Sequence, residues 1–529
     1  MKVAEYLADR LFSLGVRKVF GIPGGPSIPY MEAFRNAGIE FILTSNEASA
    51  GIMADVTYRI TGVPGICHGT FGPGATNIST GVGGALLDRS AVIVFTTEMP
   101  DAWLNRTAQM NIDHQQLFKP ITKATFRLNP DNAVEVLESA INICRSEYPG
   151  PVHIGLPSDI ASKEIVTGHQ QIVPERKSYK NNIKQVLHLI ENARMPILAI
   201  GLTAARLNIR NELLNFLERF NMPVLLTPMA KGLLPENHQH YAGVLFHSLS
   251  DYLEDIIEKT DLVIGLGYDP VEFNYESWIP DVPLLHFDII ESDLPAGDRI
   301  LQYIGPFEEW FQVLGNLNSS SLIFESSVIN DLRDEMKSVF NGFSAHFGPV
   351  SAVTIIQNEL PVDAIITTDV GSHLHLLGQL WKTNGQARLI MTNGWSGMGF
   401  GLPAALAIQM NKPSSTVVCI TGDGGFLMMA GEIITARRYN LPVIVIVFSD
   451  GELNLIKVKQ SWSNLSPYGT LLYQGDLFNS DSFLGVRVIK ADSTATMTSA
   501  INVALSLNEP VIINAIIDPD DYNWLIVKR

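Results

Sequence analysis

The stretch 417–426, VVCITGDGGF, runs from an apolar, β-branched segment straight into Gly422-Asp423-Gly424-Gly425. Unbroken apolar runs of this kind mark strands buried on both faces, as in parallel sheets. A carboxylate at the mouth of such a strand needs a partner, and flanking glycines let another group approach the backbone. The next segment, FLMMAGEIITARRYNLPVIVIVFSDGEL, reads as helix, strand and turn. Its turn carries Asp450, 27 residues after Asp423. A helix and a return strand bring two strand ends side by side in a parallel sheet. Two carboxylates then face one crevice, where repulsion would force a proton onto one of them unless a cation intervened. Mg2+ suits the pair, because it bridges carboxylates to phosphate oxygens. The plainer alternative is two separate helix caps.

The same grammar extends outward. Apolar runs bounded by Gly or Pro recur at 17–22, 91–97, 196–202, 261–267, 363–369 and 442–450, with helical patterns between them. Alternating strand and helix implies α/β architecture with parallel sheets. Length alone suggests three domains. Polar stretches at 164–182 and 315–327 divide the chain into 1–165, 182–318 and 328–529. ENARMPILAIG in the middle block and ARRYNLPVIVIVF in the last echo one another, which hints at a repeated fold type. Four glycine-rich turns follow apolar runs: FGIPGG (20–25), GTFGPGATN (69–77), DVGSH (369–373) and GDGG (422–425). Ligands of open α/β sheets bind outside the carboxyl ends of strands, and helix N-termini favour phosphate.

Composition narrows the partners. The 37 basic and 54 acidic residues give a net charge of −17, which argues against nucleic acid. Cys67, Cys144 and Cys419 form no CxxC pair, so a zinc site or disulfide framework is not expected, and a reducing, cytoplasmic setting fits. MKVAEYLADRLFSLGV resembles neither a signal nor a transit peptide, and no apolar run reaches the ~18 residues of a membrane span.

Taken together, the motifs resemble those of thiamine-diphosphate enzymes. GDG followed by the Asp450 turn, FGIPGG, Glu47 in SNEASAG, FGPGATN, GPVHIGLP, KGLLPENH, DVGSH and NGWSGMGFGLPAA stand in that family's order over nearly the whole chain. Within the family the chain is most similar to acetolactate synthases of the catabolic, flavin-free type, through GYDPVEF (267–273) and the Ser449-Asp450 turn. The resemblance implies three doubly wound parallel-sheet domains: pyrimidine-binding, central and diphosphate-binding. It implies thiamine diphosphate and Mg2+ as cofactors, and no FAD.

It also implies roles. Asp423, Asp450 and the carbonyl of Glu452 would hold Mg2+. Gly424, Gly425 and the backbone of Val370, Gly371, Ser372 and His373 would meet the diphosphate. Met398 would wedge under the bent cofactor, and the Ser396 carbonyl would accept from its aminopyrimidine. Glu47 would hydrogen-bond the pyrimidine and promote the reactive ylid, although Thr44-Ser-Asn-Glu47 also matches a helix capping box. A 2-oxo acid would then lose carbon dioxide and its fragment would meet a carbonyl acceptor. Because Glu47 and Asp423 lie in different domains, the family arrangement implies a homodimer or homotetramer with active sites between subunits.

The acceptor side departs from the pattern. Gln109 and Met110 stand where relatives carry Phe-Gln or His-Gln, Ser158 replaces a lysine, and Phe71 replaces a small residue. Gly24, Gly25, His68, Phe71, Gln109, His114 and Gln115 are the candidate substrate residues. The alternatives are a simple decarboxylase or carbon–carbon lyase, acyl transfer to phosphate, or a non-catalytic family member.

Overall fold

The computed structural model describes residues 1–165, 179, 181–295, 297–315, 326–343, 346–384 and 388–526. Most of both proposed linkers, 164–182 and 315–327, lies outside the described residues.

Three sheets follow one another along the chain. The first has six parallel strands in the order Glu40–Leu43, Lys18–Gly21, Gly65–Gly69, Val92–Glu98, Val152–Pro157, Ala124–Arg127. Its central strands are buried along their whole length, as the unbroken apolar runs require. The third sheet has seven strands: Leu389–Ile390, Ile365–Thr368, Val417–Gly422, Ile444–Ser449, Val511–Ile516, Val486–Ala491 and Ser482–Phe483, with only the last antiparallel. Up to its fourth strand it winds as the first sheet does. The middle sheet differs: Ile300–Ile304, Leu284–Asp288, Leu262–Leu266, Pro196–Ile200, Val224–Leu226, Tyr241–Val244. Its order reverses beside the first strand, as in dinucleotide-binding sheets. The kinship of strand order therefore joins the first and third blocks, whereas the sequence echo lay between the second and third. The architecture is the expected one of three α/β domains.

The first and third domains share one apolar core and a polar seam. Backbone N–H groups of Ser45 and Asn46 donate to Glu432 Oε1 at 2.9 and 3.0 Å. Arg59 pairs with Asp55 and Asp88 and donates to the Met391 carbonyl at 2.7 Å. Asp88 in turn accepts from Thr392 Oγ1 and Gly394 N. Gly83 admits the Trp395 ring, which would lie 2.8 Å from any Cβ added there.

Candidate active site

The strands Val417–Gly422 and Ile444–Ser449 are hydrogen-bonded neighbours in parallel, with Gly422 opposite Phe448. Asp423 and Asp450 therefore leave adjacent strand ends. Asp423 is buried at the first position of the helix Asp423–Met429. Its Oδ1 accepts from Gly424 N at 2.8 Å, and its Oδ2 from Gly451 N at 2.7 Å, Asp450 N at 3.2 Å and the Tyr473 hydroxyl at 2.8 Å. Asp450 accepts from Glu452 N and from Asn454 Nδ2. Burial raises both carboxyls, and the neighbouring Asp423 adds to the shift at Asp450, which is pushed up to about 7. Two desolvated acids so placed are suited to a divalent cation.

Glu452 forms an antiparallel bridge with Leu471, while Gly451 O and Leu453 N make the flanking bonds to Leu472 N and Thr470 O. The N–H and carbonyl of Glu452 thus face away from residues 470–472. The N–H meets Asp450, and in extended backbone the carbonyl lies on that same side.

Glycine geometry explains the motif's other letters. A Cβ on Gly425 would fall 2.2 Å from Asp369 Oδ2. One on Gly424 would meet Leu453 Cδ2 at 3.0 Å and Met398 Cε at 3.1 Å. Met398 is thus brought against the Asp423 turn. Ser396, two residues earlier, is exposed and sits in the left-handed region at φ 51°, a conformation costing about 1 kcal/mol or more outside glycine. Asp369, which sequence reasoning passed over, holds this turn in place. Its buried carboxylate accepts from Val370 N at 2.7 Å, Gly399 N at 2.8 and 3.0 Å, Phe400 N at 3.2 Å and Thr421 Oγ1 at 3.2 Å. Its position, an acid ending the apolar run AIITTD, was the available signal.

The helix Ser372–Leu380 begins beside Val370 and Gly371. Ser372 Oγ and His373 Nε2 are buried without a hydrogen-bond partner. The His373 ring borders both strand ends: a Cβ on Gly422 would lie 3.2 Å from it, and Phe448 meets its edge. Burial lowers this imidazole to about 3, so it is neutral. Two orphaned polar atoms at the start of a helix, next to paired carboxylates, form a cradle suited to a metal-bound diphosphate.

Glu47 opens the helix Glu47–Thr61, but Asn46 is the cap, its side chain accepting from Ala48 N at 2.8 Å. The capping-box alternative does not form. Thr44 Oγ1 is buried without a partner, and the Glu47 carboxylate is free of capping. Glu47 is 7% exposed and accepts from Asn77 Nδ2 at 3.1 Å, with Gly74 packed close to its other oxygen.

The substrate candidates separate. Gly24 lies against Thr70, leaving no room for a Cβ, and Gly25 faces open space. Phe71 is half-buried, and its N–H donates to Thr97 Oγ1. Gln109 is exposed in the turn whose Met110 backbone covers Gly72. His68 Nε2 meets Ser27 Oγ at 2.6 Å. His114 and Gln115 are engaged inside the domain: His114 with Gly72 N and Thr96, Gln115 with Glu98 and the Phe126 carbonyl. Among the described residues no helix is long and apolar enough to cross a membrane.

Comparison with known proteins agrees with this geometry. Three family models match in order: thiamine pyrophosphate enzyme N-terminal TPP binding domain at 1–117, central domain at 183–305, and C-terminal TPP binding domain at 369–515. A probable acetolactate synthase large subunit of Methanocaldococcus jannaschii is 30% identical over 98% of this chain and 92% of its own length. Its counterpart from Methanococcus aeolicus is 28% identical over the same shares. Acetolactate synthase of Bacillus subtilis is 26% identical, over 98% of this chain and 93% of its own. The chain belongs to the thiamine pyrophosphate enzyme family, with both cofactor-binding domains present.

Proposed function

We propose that this chain is a Mg2+- and thiamine-diphosphate-dependent, acetolactate synthase-like carboligase. It would decarboxylate a small, pyruvate-like 2-oxo acid and join the fragment to a carbonyl acceptor. The observation that carries the reading is the cradle of orphaned Ser372 Oγ and His373 Nε2 beside the Asp423–Asp450 pair. Full-length likeness to proteins named acetolactate synthase supports the reaction class.

When bound, the cofactor supplies the nucleophilic carbon and the electron sink for decarboxylation. Asp423, Asp450 and the Glu452 carbonyl would hold Mg2+. Ser372, His373 and the backbone of Val370, Gly371, Gly424 and Gly425 would receive the diphosphate. Met398 and the Ser396 carbonyl, fixed through Asp369, would orient the rings, and Glu47 would hold the proton that activates the pyrimidine. Gly24, Gly25, Phe71 and Gln109 would line the substrate side.

No flavin is assigned to the central domain in this reading. At its switch point the turns after Pro196–Ile200 and Leu262–Leu266 touch: a Cβ on Gly201 would lie 2.5 Å from Tyr268 Cα, and one on Gly267 would lie 2.4 Å from Ala204 N. That close contact at the switch point, where dinucleotides bind in such sheets, supports the flavin-free reading. The helix Asp423–Met429 exposes Leu427 and Met428 beside the metal site, an apolar face suited to a second copy in a homodimer or homotetramer. The buried free cysteines fit a cytoplasmic setting.

Product analysis with pyruvate, alone and with added aldehyde, tests the reading. A ligated hydroxyketone is expected, whereas acetaldehyde alone would mark a simple decarboxylase. Glu47→Gln should cut turnover by roughly 10²- to 10⁴-fold. Unchanged turnover in that variant would remove Glu47 from the mechanism.

A further inference from the structure

The turn that borders Glu47 is held from behind by a chain of buried polar groups. Gly72 N donates to His114 Nε2 at 3.2 Å, and His114 Nδ1 meets Thr96 Oγ1 at 2.8 Å. The same hydroxyl meets His153 Nε2 at 2.7 Å, and His153 Nδ1 meets Thr125 Oγ1 at 3.1 Å. Thr125 Oγ1 bonds Gln115 Oε1, and Gln115 Nε2 donates to Glu98 Oε1 at 2.6 Å and to the Phe126 carbonyl at 3.1 Å. Arg127 closes the series on Glu98.

The two ends of the relay fix the polarity of every bond between them. A backbone N–H can only donate, so His114 Nε2 carries no proton. A neutral His114 then holds its proton on Nδ1 and donates to Thr96. An amide oxygen can only accept, so Thr125 donates to Gln115 and must accept from His153 Nδ1. His153 Nε2 is then bare and accepts from Thr96. Each link donates once and accepts once, and both imidazoles are neutral Nδ1–H tautomers. Burial lowers both, His114 to about 4. His153 is further fixed by stacking on Phe118 at 4.2 Å between ring centres. Protonating His114 would set Nε2–H against Gly72 N–H, two donors facing.

The turn needs such an anchor. Gly72 is in the left-handed region at φ 67°, with Met110 packed over its Cα. Gly74 sits so that a Cβ would lie 3.5 Å from Glu47 Oε1. We propose that His114 is a positioning residue, which the Thr96–His153–Thr125–Gln115 relay locks as an acceptor so that it fixes the Thr70–Gly74 turn against Glu47. It would set the substrate side of the pocket without touching substrate.

The discriminating variants are His114→Gln and His114→Asn. A Gln Oε1 reaches about where Nε2 stands and keeps the Gly72 bond, whereas Asn reaches only the Nδ1 position and keeps the Thr96 bond. His114→Asn should raise amide exchange of the 69–74 segment, and KM for the 2-oxo acid should rise about tenfold with kcat nearly unchanged. His114→Gln should stay near wild type in both. Equal behaviour of the two variants would overturn the proposal. A readout that needs no variant is 15N NMR of histidine-labelled wild-type protein. His114 and His153 should both be Nδ1–H tautomers, and an Nε2–H or imidazolium signal at His114 would equally overturn it. The KM measurement rests on the carboligase reading, while exchange and tautomer do not. A wild type without turnover would therefore sink that reading alone.

Discussion

Replacing Asp369 with Asn separates stability from cofactor binding. The Asp369 carboxylate accepts three backbone N–H groups and one hydroxyl, tying together the 370–373 and 398–400 turns. Asn retains one accepting oxygen. Bonds to a charged acceptor contribute about 1.5–3 kcal/mol each and neutral ones about 0.5–1.5, so weakening three of them loses about 3 kcal/mol. Against this stands the charge itself. Burial raises Asp369 from its usual value to about 6, so the ionised form costs the fold about 3 kcal/mol above pH 6, a cost that vanishes below the unfolded value near 4. That net cost already includes the bonds the carboxylate receives, so the two figures do not add, and the change at pH 8 stays within about 3 kcal/mol. Asp369→Asn should therefore unfold within a few degrees of wild type, measured by thermal denaturation without cofactor. It should nevertheless bind thiamine diphosphate with Mg2+ about 10- to 100-fold more weakly in calorimetry, because an amide N–H now faces the N–H of Gly399. A large fall in melting temperature with unchanged cofactor affinity would refute the reasoning.

Other outcomes follow from the same geometry. Gly425→Ala drives a Cβ into Asp369 and should destabilise by about 1–3 kcal/mol, whereas Gly424→Ala meets only the ends of Leu453 and Met398 and should fold normally; chemical denaturation compares them. Glu272, buried in the central domain and bonded through Oε1 by Met229 N–H, is pushed up to about 8. Its ionisation is lost to the fold but open to the unfolded chain, so stability falls as pH rises from about 4.5 to 8. Glu272→Gln should flatten that slope, gaining about 3–5 kcal/mol on wild type over the interval. Removing Mg2+ with EDTA should abolish tight thiamine diphosphate binding, and Asp423→Asn should do the same with Mg2+ present. Equal calorimetric affinity with and without the metal would exclude the two-carboxylate site.

Much of this was legible from local pattern. Runs such as VVCIT and VIVIVF became fully buried central strands because both faces are covered, and their apolar character cannot be mistaken. The pairing of Asp423 with Asp450 followed from strand adjacency. Less visible were strands at sheet margins. Val486–Ala491 mixes buried and exposed positions, and Ala124–Arg127 is half-buried throughout, so neither makes an apolar run. Long-range polar partners were invisible for another reason. Tyr473 reaches Asp423 across 50 residues, and His114 reaches His153 through Thr96; no spacing rule encodes such meetings. The capping motif at Thr44–Glu47 was a real pattern that tertiary structure overrode, since the Ser45 and Asn46 N–H groups bind Glu432 of another domain.

That latch has a kinetic corollary. With Glu432 gripping the chain just before Glu47, Arg59 bridging to Met391 and Trp395 seated on Gly83, the two cofactor domains of one chain are riveted into a single block. A ligand the size of thiamine diphosphate cannot enter by prising that block apart. With its site between chains, as the family resemblance implies, its escape would be gated by how often neighbouring blocks part. Dilution should then accelerate cofactor loss, and crowded protein should retain it.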